Sequence, residues 1–297
     1  MILFKKAVDL CKWLDIQQKK ENFVGFTPTM GALHRGHISL VEMSKKENQV
    51  TVCSIFVNPS QFNDPKDFEK YPVTLENDIS LLEAAGCDVL FLPSVKEMYP
   101  EARMDNMSVR DVKPGKHYDI GYLEKVLEGK FRPGHFQGVC IVMHRFLEII
   151  HPDNLYLGQK DYQQCMVIRK LIELINPEYK IKVNIRPTLR ETDGLAMSSR
   201  NMRLNEDERK TATAIYSCLE MIKDNLEKES LSALKKKATT LLKAAGFRID
   251  YIEIVDANTL SIINDPVTTR WFRKKKIVAL VAAFLNEVRL IDNILLN

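Results

Sequence analysis

Between about Phe23 and Arg186 the chain alternates short apolar runs with stretches in which apolar residues recur every three or four positions. That alternation predicts strands joined by helical crossovers, and so a parallel sheet in an α/β unit. The apolar runs place strands at Phe23 to Thr27, Val50 to Val57, Asp88 to Pro93, Asn154 to Leu157 and Ile181 to Arg186. The periodic stretches place helices at Gly36 to Lys46, Thr74 to Ala85, Phe136 to Ile150 and Asp161 to Ile175. Ahead of them MILFKKAVDLCKWLD reads as an amphipathic helix, with neither an uninterrupted apolar core nor a small-residue cleavage site of the kind a secretory signal carries. Residues 99–122, with Pro100, Pro114, Gly115 and Gly121, read as a long connection of the kind that covers a site. After Arg186 the pattern changes to a loop rich in Gly, Ser and charge, two charged helical stretches, and strand-like runs at Asp250 to Val255 and Lys276 to Phe284. A boundary near residue 186 follows, giving domains 1–186 and 187–297, the second a smaller α+β unit.

Length agrees with two domains, because single cores stop growing near ~250 to 300 residues and this chain has 297. Forty-three basic against 39 acidic residues leave a net charge of +4, too small to predict a polyanion-binding surface. The basic runs at Lys235 to Lys237 and Arg273 to Lys276 lack a surrounding recognition motif and read as solvated faces, so no nucleic-acid partner is expected. Six scattered cysteines (Cys11, Cys53, Cys87, Cys140, Cys165 and Cys218) form no CxxC pair and read as reduced thiols of a cytoplasmic protein. No stretch has the roughly 18 apolar residues needed to span a bilayer.

Five segments carry candidate chemistry. Thr27-Pro28-Thr29-Met30-Gly31-Ala32-Leu33-His34-Arg35-Gly36-His37 lies between the first strand and first helix of the sheet, at the edge where parallel sheets bind ligands. A helix N-terminus there is predicted to offer unpaired N–H groups and a positive dipole end to an anion, with His34 and His37 donating to phosphate oxygens, the alternative being a bland turn with two surface histidines. The same histidines could form half of a zinc site, but no nearby Cys, Asp or Glu completes a ligand set at customary spacing, so no metal site is expected. Phe56-Val57-Asn58-Pro59-Ser60-Gln61-Phe62 follows the second strand to the same edge. There Asn58 and Gln61 offer neutral donors and acceptors for a polar substrate, or else the segment is an ordinary structural turn. Lys130-Phe131-Arg132-Pro133-Gly134-His135-Phe136 is the third segment. In the fourth, Gly158-Gln159-Lys160-Asp161-Tyr162-Gln163-Gln164, a lysine sits at a strand-to-helix turn as a phosphate-binding point charge, or else Asp161 merely caps the helix and Lys160 is solvated. The fifth, Asp193-Gly194-Leu195-Ala196-Met197-Ser198-Ser199-Arg200, is a plausible lid over a triphosphate or, alternatively, a plain linker. No GxSxG elbow, Walker A loop or GxGxxG fingerprint is present. His117, His144 and His151 sit in no pattern and read as structural.

Taken in order, TPTMGALHRGH, FVNPSQF, RPGHFQGV, LGQKDYQQ and DGLAMSSRN resemble the pantothenate synthetase (pantoate–β-alanine ligase) family, within the His-x-Gly-His nucleotidyltransferase superfamily. The likeness is dense from about Val24 to Leu204, and the late segment Arg289-Leu290-Ile291-Asp292-Asn293 resembles that family's C-terminal end. The resemblance implies a Rossmann-like N-terminal domain, a C-terminal lid domain and a homodimer. It implies that ATP with Mg2+ drives the condensation of (R)-pantoate with β-alanine through a pantoyl adenylate, with ATP as substrate and no permanently bound cofactor. By the same carry-over Met30, Gly31, Ala32, Leu33, His34, Arg35, Gly36, His37, Gly158, Gln159, Lys160, Asp161, Leu189, Met197, Ser198, Ser199 and Arg200 line ATP. His37, His34, Lys160 and Arg200 carry the catalysis, Gln61 and Gln164 hold pantoate, and Gln61 also meets β-alanine. Asn58, Arg132 and His135 match the motifs without an assigned role. Arg35 and Gln159 stand where relatives often have acidic residues. Two rival readings are an adenylyltransferase acting on a phosphate ester and a nucleotide-binding regulatory module without turnover.

Overall fold

The structure, a computed structural model, describes residues 1–100, 117–175, 180–264 and 275–297. The chain divides into two compact units, Met1–Gln159 with Gln163–Pro187, and Lys160–Tyr162 with Thr188–Asn297. Most of the connection expected at residues 99–122, and the first half of the basic run at 273–276, lie outside the described residues.

Elements of the first unit run β1 (Ile2–Phe4), α1 (Ala7–Lys19), β2 (Val24–Thr29), α2 (Arg35–Glu47), β3 (Val50–Ile55), α3 (Pro65–Glu69), α4 (Leu75–Ala84), β4 (Val89–Phe91), α5 (Val95–Met98), α6 (Leu127–Phe131), α7 (His135–Ile150), β5 (Asn154–Gly158), α8 (Tyr162–Ile175) and β6 (Lys182–Arg186). Among the described residues these six strands form one parallel sheet in the order β1-β4-β3-β2-β5-β6. The architecture is Rossmann-like. Strands β2 and β3 are buried almost throughout, which is why they read as apolar runs and not as alternations. Residues of α1, α7 and α8 pack on one face around Phe26, Val52 and Phe91, and residues of α2 and α4 pack on the other around Cys53, Ile55 and Leu90. Close approach of α2 depends on Gly25, where a Cβ would lie 2.2 Å from the Ser44 hydroxyl oxygen. Successive strands step from β2 through β3 to β4, and then the chain returns to the other side of β2 as β5. The order therefore reverses between β2 and β5, and in such sheets ligands bind outside the carboxyl ends of the strands at that reversal.

One expectation is corrected at the N-terminus. The helix read from Met1 begins only at Ala7, and Ile2–Phe4 instead adds a parallel edge strand to β4. Three residues are too few to carry a periodicity, so the strand is set by its pairing with β4.

The second unit contains α9 (Glu206–Ala212), α10 (Ala214–Asp224), α11 (Leu231–Ala244), β7 (Arg248–Asp256), β8 (Ile277–Leu285) and β9 (Val288–Leu295). Three helices stand where two charged stretches are predicted. The strands form an antiparallel sheet, β7-β8-β9, whose inner face packs on α10 and α11 around Leu219, Leu234 and Val281. Strand β9 has no counterpart in the sequence reading, because buried Asp292 and Asn293 break the apolar alternation that marks a half-buried strand. All six cysteines are thiols, five of them buried, and no helix among the described residues is long and apolar enough to cross a membrane.

Candidate active site

Strand β2 ends at Thr29, whose hydroxyl donates to the Ser54 carbonyl at 2.7 Å and accepts the Gly31 N–H at 3.3 Å. The chain then turns through two left-handed residues, Gly31 (φ 80°) and Ala32 (φ 47°). For an alanine this conformation costs roughly 1–2 kcal/mol, and Asp78, 1% exposed on α4, offsets it. One carboxylate oxygen accepts the Ala32 N–H at 2.9 Å, and the other accepts the Leu33 N–H at 2.8 Å and the Thr74 hydroxyl at 2.9 Å. A Cβ at Gly31 would stand 3.1 Å from the same carboxylate.

The two histidines then cap α2. His34, the N-cap, accepts the Gly36 N–H on Nδ1 at 3.2 Å, and the His37 ring accepts the His34 N–H on Nδ1 at 3.4 Å, with the ring centroids 3.9 Å apart. A ring nitrogen that accepts an N–H carries no proton, so each neutral imidazole holds its proton on Nε2 as a donor. This corrects the expectation of open backbone N–H groups, since those of Gly31, Ala32, Leu33, His34 and Gly36 are all engaged within the protein. Arg35, with a 64% exposed side chain, pairs with Glu42 at 3.3 Å on the helix surface.

After β3, Asn58 caps a 3-10 turn, Pro59–Gln61. Buried Asn58 donates to the Gln61 side-chain oxygen at 3.2 Å and to the Gly138 carbonyl at 3.2 Å, and it accepts the Tyr99 hydroxyl at 2.8 Å. Burial pushes the Tyr99 hydroxyl well above the ordinary tyrosine range, so it stays a donor. Gln61 Nε2 lies 2.7 Å from the Met30 sulfur, which joins this turn to the one after β2. His135 Nδ1 donates to the Gln61 carbonyl at 2.8 Å, and its Nε2 accepts from the Arg132 guanidinium at 3.1 Å. An arginine can only donate, so this ring carries its proton on Nδ1, opposite to His34 and His37. Glu128 holds Arg132 at 3.6 Å. The structure thus brings together Met30, Asn58, Gln61, Arg132 and His135. Gln164 is half-buried on α8. Its neighbour Gln163 is buried and ties down the segment before it, accepting the Glu128 N–H at 3.0 Å and donating to the carbonyls of Leu123 at 2.7 Å and Val126 at 3.0 Å. Gly158 closes β5, the neighbour of β2, and a 3-10 turn, Gln159–Asp161, leads into α8.

The remaining candidates belong to the second unit. Lys160 has a 17% exposed side chain, with Nζ 4.0 Å from Asp161. Leu189, Met197 and the bridge from Arg190 to Ala196 form a small antiparallel hairpin, with the Met197 N–H on the Leu189 carbonyl at 3.1 Å. Ser198 caps the 3-10 turn Ser199–Arg203 by accepting the Arg200 N–H at 3.3 Å. Beneath the hairpin Arg190 grips Asp292 through two bonds of 2.6 and 3.0 Å. Burial raises the Asp292 pKa while the guanidinium opposes the rise. Among the described residues no cluster of three His, Cys, Asp or Glu side chains is placed to hold a metal. Asp78, Tyr99, Gln163, Asp292 and Asn293 escape sequence reading as site residues, because each acts through a contact distant along the chain.

Fold and site together define a Rossmann-like α/β protein with a His-x-Gly-His turn at the switch point of its sheet. The chain belongs to the pantoate–beta-alanine ligase family, whose model matches residues 2–295. It is 44% identical over 283 residues to the pantothenate synthetase of Cytophaga hutchinsonii, covering 94% of both chains. It is 40% identical over 300 residues to that of Caldicellulosiruptor bescii, covering 100% of this chain and 99% of the other. Among solved structures, pantothenate synthetase from Thermus thermophilus matches with a TM-score of 0.86 at 38% identity, covering 100% of this chain and 99% of that one. The pantoate–beta-alanine ligase from Francisella tularensis, complexed with beta-gamma ATP and beta-alanine, matches with a TM-score of 0.76 at 35% identity, covering 100% of this chain and 98% of that one.

Proposed function

We infer that the chain condenses (R)-pantoate with β-alanine at the expense of ATP, releasing AMP and diphosphate through a pantoyl adenylate. The observation that carries the reading is the turn after β2, where the capping of α2 fixes both histidines as Nε2–H donors. In the first half-reaction a pantoate carboxylate oxygen forms a bond to the α-phosphorus while the bond to diphosphate breaks. In the second, the β-alanine amine attacks the acyl carbon, AMP leaves, and the ammonium proton passes to solvent or to a product oxygen. His34, His37, Lys160 and Arg200 neutralise charge building on the phosphates, so catalysis is mainly positioning and electrostatics. Met30–His37, Gly158–Asp161, Leu189 and Met197–Arg200 contact ATP. Gln61 and Gln164 hold pantoate, and Gln61 meets β-alanine, with Asn58, Arg132 and His135 fixing the Gln61 turn. Mg2+ would be supplied with ATP, held by substrate phosphates and water, and would offset phosphate charge. Residues 1–186 serve nucleotide and pantoate and 187–297 act as a lid, in a cytoplasmic homodimer.

Exchange of labelled pyrophosphate into ATP tests the reading. Exchange that requires pantoate, and AMP release that requires pantoate and β-alanine together, is the expected result. Exchange indifferent to carboxylic acids would favour the phosphate-ester rival, and no turnover at all the regulatory one. Substituting His37→Ala is expected to lower the exchange rate by about 100-fold or more, in line with loss of a transition-state donor. Near-normal turnover would remove that imidazole from the chemistry.

A further inference from the structure

Strand β9 carries a polar pair at its centre. Asp292 and Asn293 are 4% and 1% exposed, opposite Val281 and Leu280 of β8. A buried amide and carboxylate in a small apolar core are costly unless they are engaged, and both are. The Asn293 side-chain amide donates to the Lys160 carbonyl at 2.8 Å, and its backbone N–H donates to an Asp292 carboxylate oxygen at 2.7 Å. That carboxylate takes both terminal nitrogens of Arg190, which reach onward to the Gly194 carbonyl at 3.1 Å and the Asn293 carbonyl at 3.2 Å. The guanidinium also lies over the Tyr216 ring, 4.1 Å from its centroid. Gly194 occupies the left-handed corner of the hairpin, at φ 90°, Met197 closes the hairpin on Leu189, and Ser198–Arg200 follow directly.

Two adjacent residues of β9 therefore hold two segments whose gripped residues, Lys160 on one side and Arg190 and Gly194 on the other, are far apart in the chain. One is the turn that carries Lys160, and the other is the hairpin that leads to Ser198, Ser199 and Arg200. Both grips fall on backbone carbonyls, or on an arginine that itself binds one. We propose that Asn293 and Asp292 are positioning residues that set Lys160 and the Met197–Arg200 turn in register with each other. On the reading above, on which this inference rests, that register is what a triphosphate meets. Segments so distant in sequence have no local means of keeping a common geometry, and misplacement of about 1 Å at a charged group is enough to cost rate.

The test is the pantoate-dependent exchange reaction of the full-length protein, with separate KM values for ATP and pantoate. Asn293→Asp keeps the shape but sets a carboxylate oxygen against the Lys160 carbonyl, and Arg190→Lys keeps the charge facing Asp292 but loses the paired grip and the bond to Gly194. Each is expected to raise KM for ATP or lower kcat/KM for ATP by about 10- to 100-fold, with KM for pantoate within about twofold. Asp250→Asn serves as control. It removes the charge from the carboxylate that accepts the 2.8 Å bond from Arg289 between β7 and β9, and touches neither segment, so it is expected to lower the melting temperature while leaving both KM values unchanged. If Asp250→Asn shifts KM for ATP as much as the other two, or if Asn293→Asp and Arg190→Lys leave it unchanged, the positioning role is overturned. Should Asn293→Asp fail to fold, Arg190→Lys decides the matter by the same readout. Lys160→Ala separates this result from the underlying reading, because full exchange in that variant would remove Lys160 from the ATP site whatever β9 does.

Discussion

Each histidine of the turn after β2 acts through two atoms. Nδ1 closes the end of α2, and that bond leaves Nε2 as the protonated nitrogen, so the cap decides which nitrogen of each ring can donate. Asp78 performs the corresponding service for the backbone, accepting two N–H groups at a turn with a left-handed alanine. Removing a buried acceptor leaves those donors unsatisfied, at about 1–3 kcal/mol each. Asp78→Ala is therefore expected to destabilise the fold by at least about 2 kcal/mol, read as a fall in the urea midpoint at unchanged slope. Asp78→Asn, whose carbonyl oxygen replaces only one of the two acceptors, is expected to fall between. Equal stability of all three proteins would show that the two bonds contribute nothing net. The histidines themselves were legible in the sequence, because His-x-Gly-His after a strand is a local pattern. Asp78 was not, since nothing in TLEND marks a carboxylate that will meet a turn 45 residues earlier.

Among the elements, the turn bearing Gln61 shows how a helix can hold a loop. Gly138 of α7 faces it so closely that a Cβ would lie 2.3 Å from the Ser60 carbonyl oxygen and 2.7 Å from the Gln61 Cα. Both obstacles are backbone, so a methyl group can be accommodated only by moving the turn. Gly138→Ala is expected to cost about 1–3 kcal/mol, as overpacking does, and to raise KM for pantoate through the displaced glutamine. A melting temperature equal to the parent's would show that the turn yields freely. Helices α2, α4, α7 and α8 and strands β2 to β6 were read from their apolar patterns to within two residues at their ends, because each lies in or against the buried sheet, whereas the short helices α3, α5 and α6 carry too few turns to show a period. Strands β1 and β9 were missed for opposite reasons. The first is too short to carry a pattern, and the second buries polar residues that disguise one.

Over the whole molecule, burial sets how the protein responds to alkaline pH. Tyr118 and Tyr156 are both pushed up to about 12, chiefly by burial, and Tyr99 rises further. Burial disfavours the phenolate, so the folded state favours the neutral ring. The resulting stability is fully present below the unfolded pKa near 10 and is lost as pH rises through about 12. A spectrophotometric titration of the native protein is expected to show at least these three tyrosines lagging behind the others, with the lag abolished in denaturant. A single native transition near pH 10 would contradict their burial. The two units rest on separate apolar clusters, yet Lys160–Tyr162 group with the second while their neighbours on both sides group with the first.

Sequence by itself determined the alternating α/β pattern, the parallel sheet it requires, and the family, because hydrophobic period and short motifs are properties of neighbouring residues. It also supplied the residues proposed to contact ATP and pantoate. Only the tertiary structure decided which nitrogen of each histidine carries its proton, that Asp78 fixes the first turn, and that Asp292 and Asn293 hold Lys160 and the hairpin after Leu189. The caps on His34 and His37 span only two and three residues and form only with the helix, whereas the other assignments depend on buried polar groups finding partners tens to more than a hundred residues away, and the cost of leaving such a group unpaired is felt only once the chain has folded around it.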